Sequence, residues 1–233
     1  MALIELEQVY YRYPGSLEWT LKGVSLEVWG GRILVMGSTG SGKSTLLRVM
    51  AGLAPGVYGG ELRGHVAVNS NVALVPQDFD LYILMNTPRL ELEYVLSGRG
   101  LGLSEARREA YRIAGELGLK HLIDRDVFTL SMGERQRVAV ASAIALEPEV
   151  LILDEPLAFI DGRASRELLE FMESLEVKAV VIAEHKIWRL AEWAERVIVV
   201  EDGRIAADGG PEIIPSKLSK CEVEGAGVGR VYG

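Results

Sequence analysis

The feature that most constrains this chain is a short glycine-rich stretch, GSTGSGKST, which lies between an apolar run and a helical pattern. It matches G-x-x-x-x-G-K-[ST], a pattern in which glycines let backbone N–H groups point inward at phosphate oxygens. The following helix aims its positive end at the same anion. The alternative, a glycine-rich turn before an ordinary helix, leaves the Lys-Ser pair unexplained. The predicted phosphate-binding residues are Gly37, Ser38, Thr39, Gly40, Ser41, Gly42, Lys43, Ser44 and Thr45.

Two side chains of this loop have separate predicted tasks. Lys43 would reach the outer phosphates, and the Ser44 hydroxyl would hold Mg²⁺. A dinucleotide fingerprint is excluded, because Gly42 is followed by Lys-Ser-Thr where that fingerprint needs a third glycine. The loop therefore predicts a nucleoside phosphate as the ligand.

Composition sets limits on the partners and the compartment of the chain. Its 233 residues suffice for one large domain or two small lobes. A net charge of −8, with no evident basic face, argues against binding to nucleic acid. No apolar run approaches the length of a bilayer span, and the start is not a signal peptide. The single cysteine, Cys221, permits no internal disulfide and fits a reducing compartment, and the three histidines lack metal-ligand spacing.

Apolar periodicity divides the chain into a strand-rich start, a helical middle and an alternating remainder. Alternating apolar residues predict strands over 2–9 and 21–29, with 10–15 as a turn that displays aromatic side chains. Continuous apolar strands alternating with helices predict a parallel sheet buried on both faces. Further strands are predicted at 32–36, 61–68, 72–75, 150–153, 179–182 and 196–200, and helices at 45–53, on either side of 98–102, and at 134–146, 162–175 and 186–194.

These patterns predict an α/β fold class: a P-loop NTPase core with a parallel sheet, an N-terminal antiparallel β subdomain and a helical subdomain. We expect a single domain over 1–233. The β layer and the nucleotide-binding core would occupy 1–77 and 131–216, the helical subdomain about 78–130, and a loosely packed tail 217–233.

A second candidate site is the pair of acids that follows the strand Val150-Leu151-Ile152-Leu153. The carboxyl end of a parallel strand faces the ligand crevice. Asp154 there would bind Mg²⁺, directly or through water, and Glu155 would sit beyond the outer phosphate, where a carboxylate polarises attacking water. The alternative is an ordinary polar strand end before the turn at Pro156. The presence of the phosphate loop in the same chain argues against this alternative.

The stretch LSMGERQR, residues 130–137, opens the helix that precedes this strand. Ser131 can cap the helix while Glu134, three residues on, completes a capping box. Here the chain resembles the ATP-binding-cassette ATPases, whose signature is commonly Leu-Ser-Gly-Gly-Gln. The resemblance covers nearly the whole chain. It implies a dimer with two ATP molecules sandwiched head to tail, in which Ser131 and Gly133 contact the nucleotide of the partner subunit.

The chain departs from this signature at two positions. Met132 replaces the usual first glycine, which removes backbone freedom and adds bulk near the phosphate. Glu134 replaces the commonest glutamine, and its carboxylate would repel phosphate unless it turns back to cap Ser131. We expect the site across the dimer to survive, with Met132 reducing its efficiency.

The resemblance assigns four further residues in order along the chain. Tyr13 matches the aromatic that stacks on adenine, although it can also be read as a partly buried strand-end tyrosine. Gln77 matches the glutamine that senses Mg²⁺ and links to the membrane partner. Asp161 matches the loop between the two ATP sites, or simply caps the next helix. His185 matches the histidine on the terminal phosphate, the alternative being a surface histidine.

The function that the resemblance implies is that of an ATPase subunit of a membrane transporter. Its cofactors would be ATP and Mg²⁺, and its partners a second cassette, identical or related, and integral membrane subunits that dock near 78–100. The chain would then sit peripherally on the cytoplasmic face of the membrane, and a separate subunit would recognise the transported solute.

Several details resemble one type of transporter in particular. The stretch from Tyr11 to Gly15, Glu134, and Glu184 before His185 look like the cobalt- and vitamin-type energy-coupling-factor importers. Two other functions stay open. One is a soluble ATP-driven interaction module, although the helical insert is too short for a long coiled coil. The other is a small-molecule kinase, for which the stretch at 130–137 and Glu155 would be coincidences.

Overall fold

The structure, a computed structural model, describes residues 1–158, 162–184 and 190–214. Its strands are β1 (Ile4–Arg12), β2 (Leu21–Val28), β3 (Gly31–Met36), β4 (Glu61–Val68), β5 (Val72–Val75), β6 (Val150–Asp154), β7 (Ala179–Ala183), β8 (Arg196–Glu201) and β9 (Arg204–Gly209). Its α-helices are α1 (Lys43–Met50), α2 (Pro88–Gly98), α3 (Leu103–Glu116), α4 (Met132–Ile144), α5 (Gly162–Glu173) and α6 (Leu190–Trp193). Short 3-10 helices span Phe79–Tyr82, Val127–Thr129 and Pro211–Ile213.

Two sheets form the body of the molecule, and both confirm the predicted fold class. Strands β2, β1 and β4 pair in that order as an antiparallel sheet. The larger sheet has the order β5-β6-β7-β3-β8-β9 and is parallel except at the β8–β9 hairpin. In the parallel part the strands are almost entirely buried, because side chains pack against both faces.

The alternation of side chains along each parallel strand divides the apolar residues between two cores. In β3, Ile33 and Val35 face a core that joins the large sheet to α1 and the antiparallel sheet. Leu34 and Met36 face the other core, to which α4, α5 and α6 contribute. The large sheet is therefore held between two apolar layers, which fix the carboxyl ends of its strands.

A third core belongs to the helical part of the chain. Leu92 and Leu96 of α2 meet Ala106 and Ala110 of α3 there, together with one face of α4. The opposite face of α4 packs into the core of the large sheet. The predicted subdomain boundary at 130/131 stays a prediction, and α4 is the element that connects the two parts.

The predicted turn at 10–15 is wrong in its first half. Strand β1 continues to Arg12, and Tyr11 is fully buried with its hydroxyl donating to the Gly59 carbonyl at 2.8 Å. A bulge at Gln8, whose φ is 48°, shifts the register of β1 and lets Val9 and Tyr11 face inward after Leu6. Gly64 lies opposite, where an added Cβ would meet the Gln8 carbonyl oxygen at 2.4 Å.

Most other predicted elements are confirmed to within a few residues, and one was missed. Strand β9 pairs with β8 through a tight turn at Asp202-Gly203, but its residues are too polar to have been predicted as a strand. Of the predicted helix 186–194, the structure describes the part that α6 covers. Residues 217–233, with Cys221, lie outside the described part of the chain. Within that described part, no helix has the length and apolar character needed to cross a bilayer.

Candidate nucleotide site

The glycine-rich loop connects the end of β3 to the start of α1, as predicted. Lys43 is the first residue of α1, and its buried ammonium donates to the carbonyls of Gly37 and Ser38 at 2.9 and 3.1 Å. Gly42 caps the helix in the left-handed region, with φ at 108°. The loop thus curls around the lysine, and the start of α1, where helix N–H groups can bind an anion, lies directly after it.

The loop fits closely against a neighbouring strand, which explains its first glycine. A Cβ added to Gly37 would lie 2.2 Å from the backbone oxygen of Val200 in β8. Any larger residue at this position would displace the loop from the sheet.

The two acids after β6 lie at the same edge of the large sheet. Ala183 of β7 pairs with Val35 of β3 on one side and with Asp154 of β6 on the other. The backbone N–H of Glu155 donates to the Ala183 carbonyl at 2.8 Å. The end of β3, from which the phosphate loop departs, is therefore level with Asp154 and Glu155.

Glu155 is held in an unusual conformation. Its φ of 51° is in the left-handed region, which a residue with a side chain seldom adopts. The Gln77 side chain, two residues beyond β5, donates from Nε2 to Glu155 Oε2 at 3.0 Å. The structure thus brings together two predicted site residues that are 78 positions apart.

Asp154 combines deep burial with an unsatisfied oxygen. The pKa of its carboxyl group is raised mainly because burial disfavours the charged form, and the Glu155 charge adds to the rise, while the Ser44 hydroxyl opposes it. Asp154 Oδ1 and Ser41 Oγ are buried without a hydrogen-bond partner among the described residues. Such atoms are costly unless a ligand satisfies them, so they fit a site for a cation and a phosphate.

Tyr13 lies beside the phosphate loop rather than free in solvent. Its hydroxyl is 3.2 Å from Thr45 Oγ1 and accepts a hydrogen bond from Arg48 Nη1 at 2.6 Å. The Tyr13 ring packs edge-on against Tyr11, with centroids 5.0 Å apart. The ring is half-buried. Stacking of adenine on this ring stays a prediction.

The predicted capping box at the start of α4 is confirmed. Ser131 Oγ accepts from the Glu134 N–H at 3.3 Å, and Glu134 Oε2 accepts from the Ser131 N–H at 2.7 Å. The pKa of Glu134 is lowered first by that backbone hydrogen bond, with burial opposing it. The carboxylate is therefore turned back onto its own helix. Ser131 and Met132 are exposed at this end of α4, while Gly133 is half-buried.

Two predicted site residues cannot be placed. Asp161 and His185 lie outside the described residues, so their assignments stay predictions. Glu184, which precedes His185, is buried just after β7. Its carboxylate accepts a hydrogen bond from the Leu157 N–H at 2.9 Å.

Sequence reasoning missed two charged residues that fix the segment after Gln77. Arg135 of α4 forms an ion pair with Asp80 at 2.9 Å and so connects the capped helix to the segment after Gln77. Glu91 is buried and accepts N–H bonds from Leu84 and Met85 at 2.8 and 2.9 Å. Asp80 is 55 residues away from Arg135 in the sequence. For Glu91 the sequence signal was a charged residue within an apolar pattern.

Fold and site together define a P-loop nucleotide-binding fold with a second, capped helix start exposed at α4. Residues 21–158 match the family described as ABC transporter. The chain therefore belongs to the ABC transporter family as an ATP-binding protein.

Curated relatives agree with this assignment. A putative ABC transporter ATP-binding protein of Pyrococcus horikoshii is 35% identical over 232 residues, which cover 91% of this chain and 81% of that protein. Another, from Methanosarcina acetivorans, is 33% identical over 89% of this chain but 37% of its own length. One from Treponema denticola is 33% identical over 88% of this chain and 45% of its own length. The chain thus spans less than half of the latter two proteins.

Solved structures share the fold. CbiO1 of Clostridium perfringens, part of the ABC transporter complex CbiONQ, superposes with a TM-score of 0.80 at 24% identity and covers 93% of this chain and 92% of its own, a likeness that concerns the fold alone. The ATP-binding cassette MJ0796, a dimer in a post-hydrolysis state bound to ADP and Pi, gives a TM-score of 0.74 at 26% identity over 89% of this chain and 98% of its own.

Proposed function

We propose that this chain hydrolyses ATP to power the passage of a solute across a membrane, as one of two cassettes in a transporter. The observation that carries the proposal is the meeting of three elements at one edge of the sheet. These are the Lys43 loop, the Asp154-Glu155 pair and Gln77, which bonds to Glu155. Together they would supply what phosphoryl transfer requires: a positive charge from Lys43, metal ligands from Asp154 and Gln77, and a carboxylate, Glu155, that orients water.

In this proposal Mg²⁺ would be held by Ser44, Asp154 and Gln77. The unsatisfied Asp154 oxygen and the oxygen-rich character of these side chains suit that ion. When bound, Mg²⁺ would offset part of the negative charge on the phosphates.

The protein's own groups would divide the remaining work. Lys43 would leave the carbonyls of Gly37 and Ser38 and donate to the outer phosphates of ATP. Glu155 would accept a proton from a water molecule and orient that water for in-line attack on the γ-phosphate. Gln77 would hold the Glu155 carboxylate through the observed 3.0 Å hydrogen bond. His185 would contact the terminal phosphate.

Recognition of the nucleotide would extend to its base and across a dimer. Tyr13 would stack on adenine, with its hydroxyl fixed by Thr45 and Arg48. Ser131, Met132 and Gly133 would face the ATP of the partner cassette, which the exposure of Ser131 supports. Asp161 would lie in the loop between the two ATP sites, and the resulting dimer would close when ATP binds.

Membrane subunits would dock beside the segment that follows Gln77. A cavity of about 210 Å³ opens there between α2, α4 and β5, and we call it the helical groove. Large apolar side chains stand exposed at it, with Leu84 61% and Tyr94 53% exposed. An apolar rim of this kind suits an amphipathic helix from an integral membrane protein. Docking there would hold the chain peripherally on the cytoplasmic face of the membrane.

The type of transporter that we propose is an importer of the energy-coupling-factor kind. The stretch from Tyr11 to Gly15 and Glu184 before His185 support this choice, and the chain shares its fold with CbiO1. Co-purification of an integral membrane protein with this chain would support transport, whereas a complex formed with soluble proteins alone would favour an interaction module.

The decisive experiment for hydrolysis is the Glu155→Gln substitution. We expect ATP to bind with near-normal affinity while phosphate release falls by about 10²–10⁴-fold, because the amide cannot accept the proton from water. The variant should accumulate as an ATP-bound dimer in size-exclusion chromatography. Glu147→Gln is a matched control, since Glu147 also has a left-handed backbone, with φ at 50°, but lines a cleft elsewhere. Near-normal turnover by Glu155→Gln would remove Glu155 from the mechanism.

A further inference from the structure

The turn between β8 and β9, at Asp202-Gly203, has no role in the proposed mechanism, yet it contacts the phosphate loop. The backbone N–H of Gly203 donates to the Ser41 carbonyl at 2.8 Å. Ser41 precedes Gly42, the cap of α1. Because the C=O and N–H of a trans peptide point in opposite directions, this bond also directs the Gly42 N–H away from the turn. The turn therefore fixes one peptide of the loop that would hold phosphate.

The same turn contacts the antiparallel sheet on its other side. The Gly203 carbonyl accepts a hydrogen bond from the Lys22 N–H at 2.8 Å, near the start of β2. The two residues beside Gly203 also contact Lys22: Asp202 forms an ion pair with the Lys22 ammonium, and Arg204 Nη1 donates to the Lys22 carbonyl at 3.0 Å. Three consecutive residues thus hold Lys22 by three different polar groups.

The close approach of the two backbones explains the glycine at position 203. Gly203 is buried, and its φ of 73° is in the left-handed region. An added Cβ would lie 2.2 Å from the Thr20 carbonyl oxygen and 3.3 Å from Leu21 Cα. Because both are backbone atoms, a side chain at this position would force the turn away from β2.

The strand that Gly203 holds is connected to Tyr13. Lys22 belongs to β2, which pairs with β1, and the Thr20 N–H donates to the Tyr11 carbonyl at 2.8 Å. Tyr13 follows directly after the end of β1. Gly203 therefore bridges the phosphate loop and the strand pair that positions Tyr13, with its N–H bonded to the first and its C=O bonded to the second.

We propose that Gly203 is a positioning residue that sets the distance between the phosphate loop and Tyr13, so that one nucleotide can contact both. This inference rests on the proposed function, because it takes Tyr13 as the adenine contact. A ligand that engages two places gains from both only when they are held at a matching separation. A ligand of the loop alone is insensitive to that separation, since Gly37 packed on Val200 and the Lys43 hydrogen bonds also fix the loop.

The test compares Mg·ADP with Mg·pyrophosphate, which both carry a diphosphate and differ by the adenosine group. Isothermal titration calorimetry of the full chain gives both dissociation constants. In Gly203→Asn we expect the constant for Mg·ADP to rise by about 10-fold or more and that for Mg·pyrophosphate by less than about 3-fold. Asparagine tolerates a positive φ better than most residues, so this variant adds the Cβ with little backbone strain.

Gly203→Ala adds the same Cβ with more backbone strain, and it should change the ratio of the two constants by the same factor as Gly203→Asn. This ratio separates positioning from loss of structure. A partly unfolded variant binds both ligands more weakly by one common factor, which leaves the ratio unchanged.

Gly118→Ala is the matched control. Gly118 has a similar φ of 66°, but an added Cβ there would meet no atom of the described residues within 4 Å, its chain neighbours aside. This variant carries the backbone strain without the contact. It should therefore bind both ligands as the wild-type chain does.

The inference is overturned if Gly203→Asn and Gly203→Ala keep the wild-type ratio of the two constants, whether both affinities fall together or neither changes. With binding of Mg·ADP by the wild-type chain intact, that result leaves the proposed ATPase function in place. A wild-type chain that binds Mg·ADP no more tightly than Mg·pyrophosphate would also overturn the inference, since Tyr13 would then contribute nothing. Failure of the wild-type chain to bind either ADP or ATP would remove the proposed function as well.

Discussion

The Asp154 carboxyl group ends β6 at a place where folding and ligand binding make opposite demands. Burial raises its pKa, so the ionised form that a cation needs is disfavoured in the folded chain without ligand. Its Oδ1 has no hydrogen-bond partner among the described residues. A carboxylate at this position is thus expected to reduce the stability of the ligand-free chain, which is common at functional sites, and this fits its proposed role as a metal ligand.

This argument predicts that Asp154→Asn stabilises the ligand-free chain at neutral pH. A raised pKa means that stability falls as the pH rises through the interval between the ordinary value of 3.8 and the folded value, and that the cost persists above it. Asparagine carries no such cost. The melting temperature should rise by a few degrees, about 2–4 °C for each kcal/mol, and the gain should shrink as the pH is lowered toward 3.8.

Asp202→Asn is the control, because the pKa of Asp202 is shifted in the opposite direction from that of Asp154. The pKa of Asp202 is lowered, first by its hydrogen bond from Lys22 and then by the charge of that lysine, so its ionised form is favoured in the folded chain. Its replacement should not raise the melting temperature. Calorimetry that found Asp154→Asn destabilising at pH 7 would show that the carboxylate is already compensated by its neighbours.

At the scale of elements, the contribution of the capping box at the start of α4 to stability can be tested. Glu134→Ala should lower the free energy of unfolding by about 1 kcal/mol, because it removes the acceptor for the Ser131 N–H. Glu134→Gln should cost less than half of that amount, since glutamine completes the same box. Urea unfolding of both variants measures the difference, and equal losses would mean that the charge, not the bond, stabilises the helix.

Local patterns predicted the elements well where one periodicity governs a whole segment. The phosphate loop between β3 and α1 and the acids after β6 follow from short motifs, because each needs only its own strand and turn. Strand β1 was predicted too short, because the bulge at Gln8 changes the inward-facing phase before Tyr11. Strand β9 escaped prediction because it is an edge strand defined by its pairing with β8 rather than by apolar residues.

Contacts between distant parts of the chain were the least predictable part of the site. Motif order predicted that Gln77 and Glu155 share one site, and the structure brings them into contact, but the motifs could not give their hydrogen bond. The grouping of Arg48 with Tyr13 and Tyr58 depends on how α1 packs beside the start of β4, and no spacing in the sequence encodes it. Pairings of this kind require the tertiary fold.

At the scale of the whole molecule, the proposed dimer predicts different effects for two substitutions at one residue. Aspartate and asparagine both replace serine well as helix caps, so Ser131→Asp and Ser131→Asn should fold alike. In the Glu155→Gln background, Ser131→Asp places a negative charge toward the partner's phosphates and should weaken ATP-dependent dimerisation by at least about tenfold. Ser131→Asn should dimerise nearly as the background does. Analytical ultracentrifugation measures both.

The affinity of the monomer for ATP decides whether Ser131 acts across the dimer or within its own chain. If Ser131 faces only the partner's nucleotide, Ser131→Asp should bind ATP as monomer with unchanged affinity while failing to dimerise. If instead the aspartate weakened ATP binding by the monomer to the same extent, Ser131 would belong to the site of its own chain. Equal dimerisation of the aspartate and asparagine variants would place this end of α4 outside the interface, and the sandwich of two nucleotides between two cassettes would have to be abandoned.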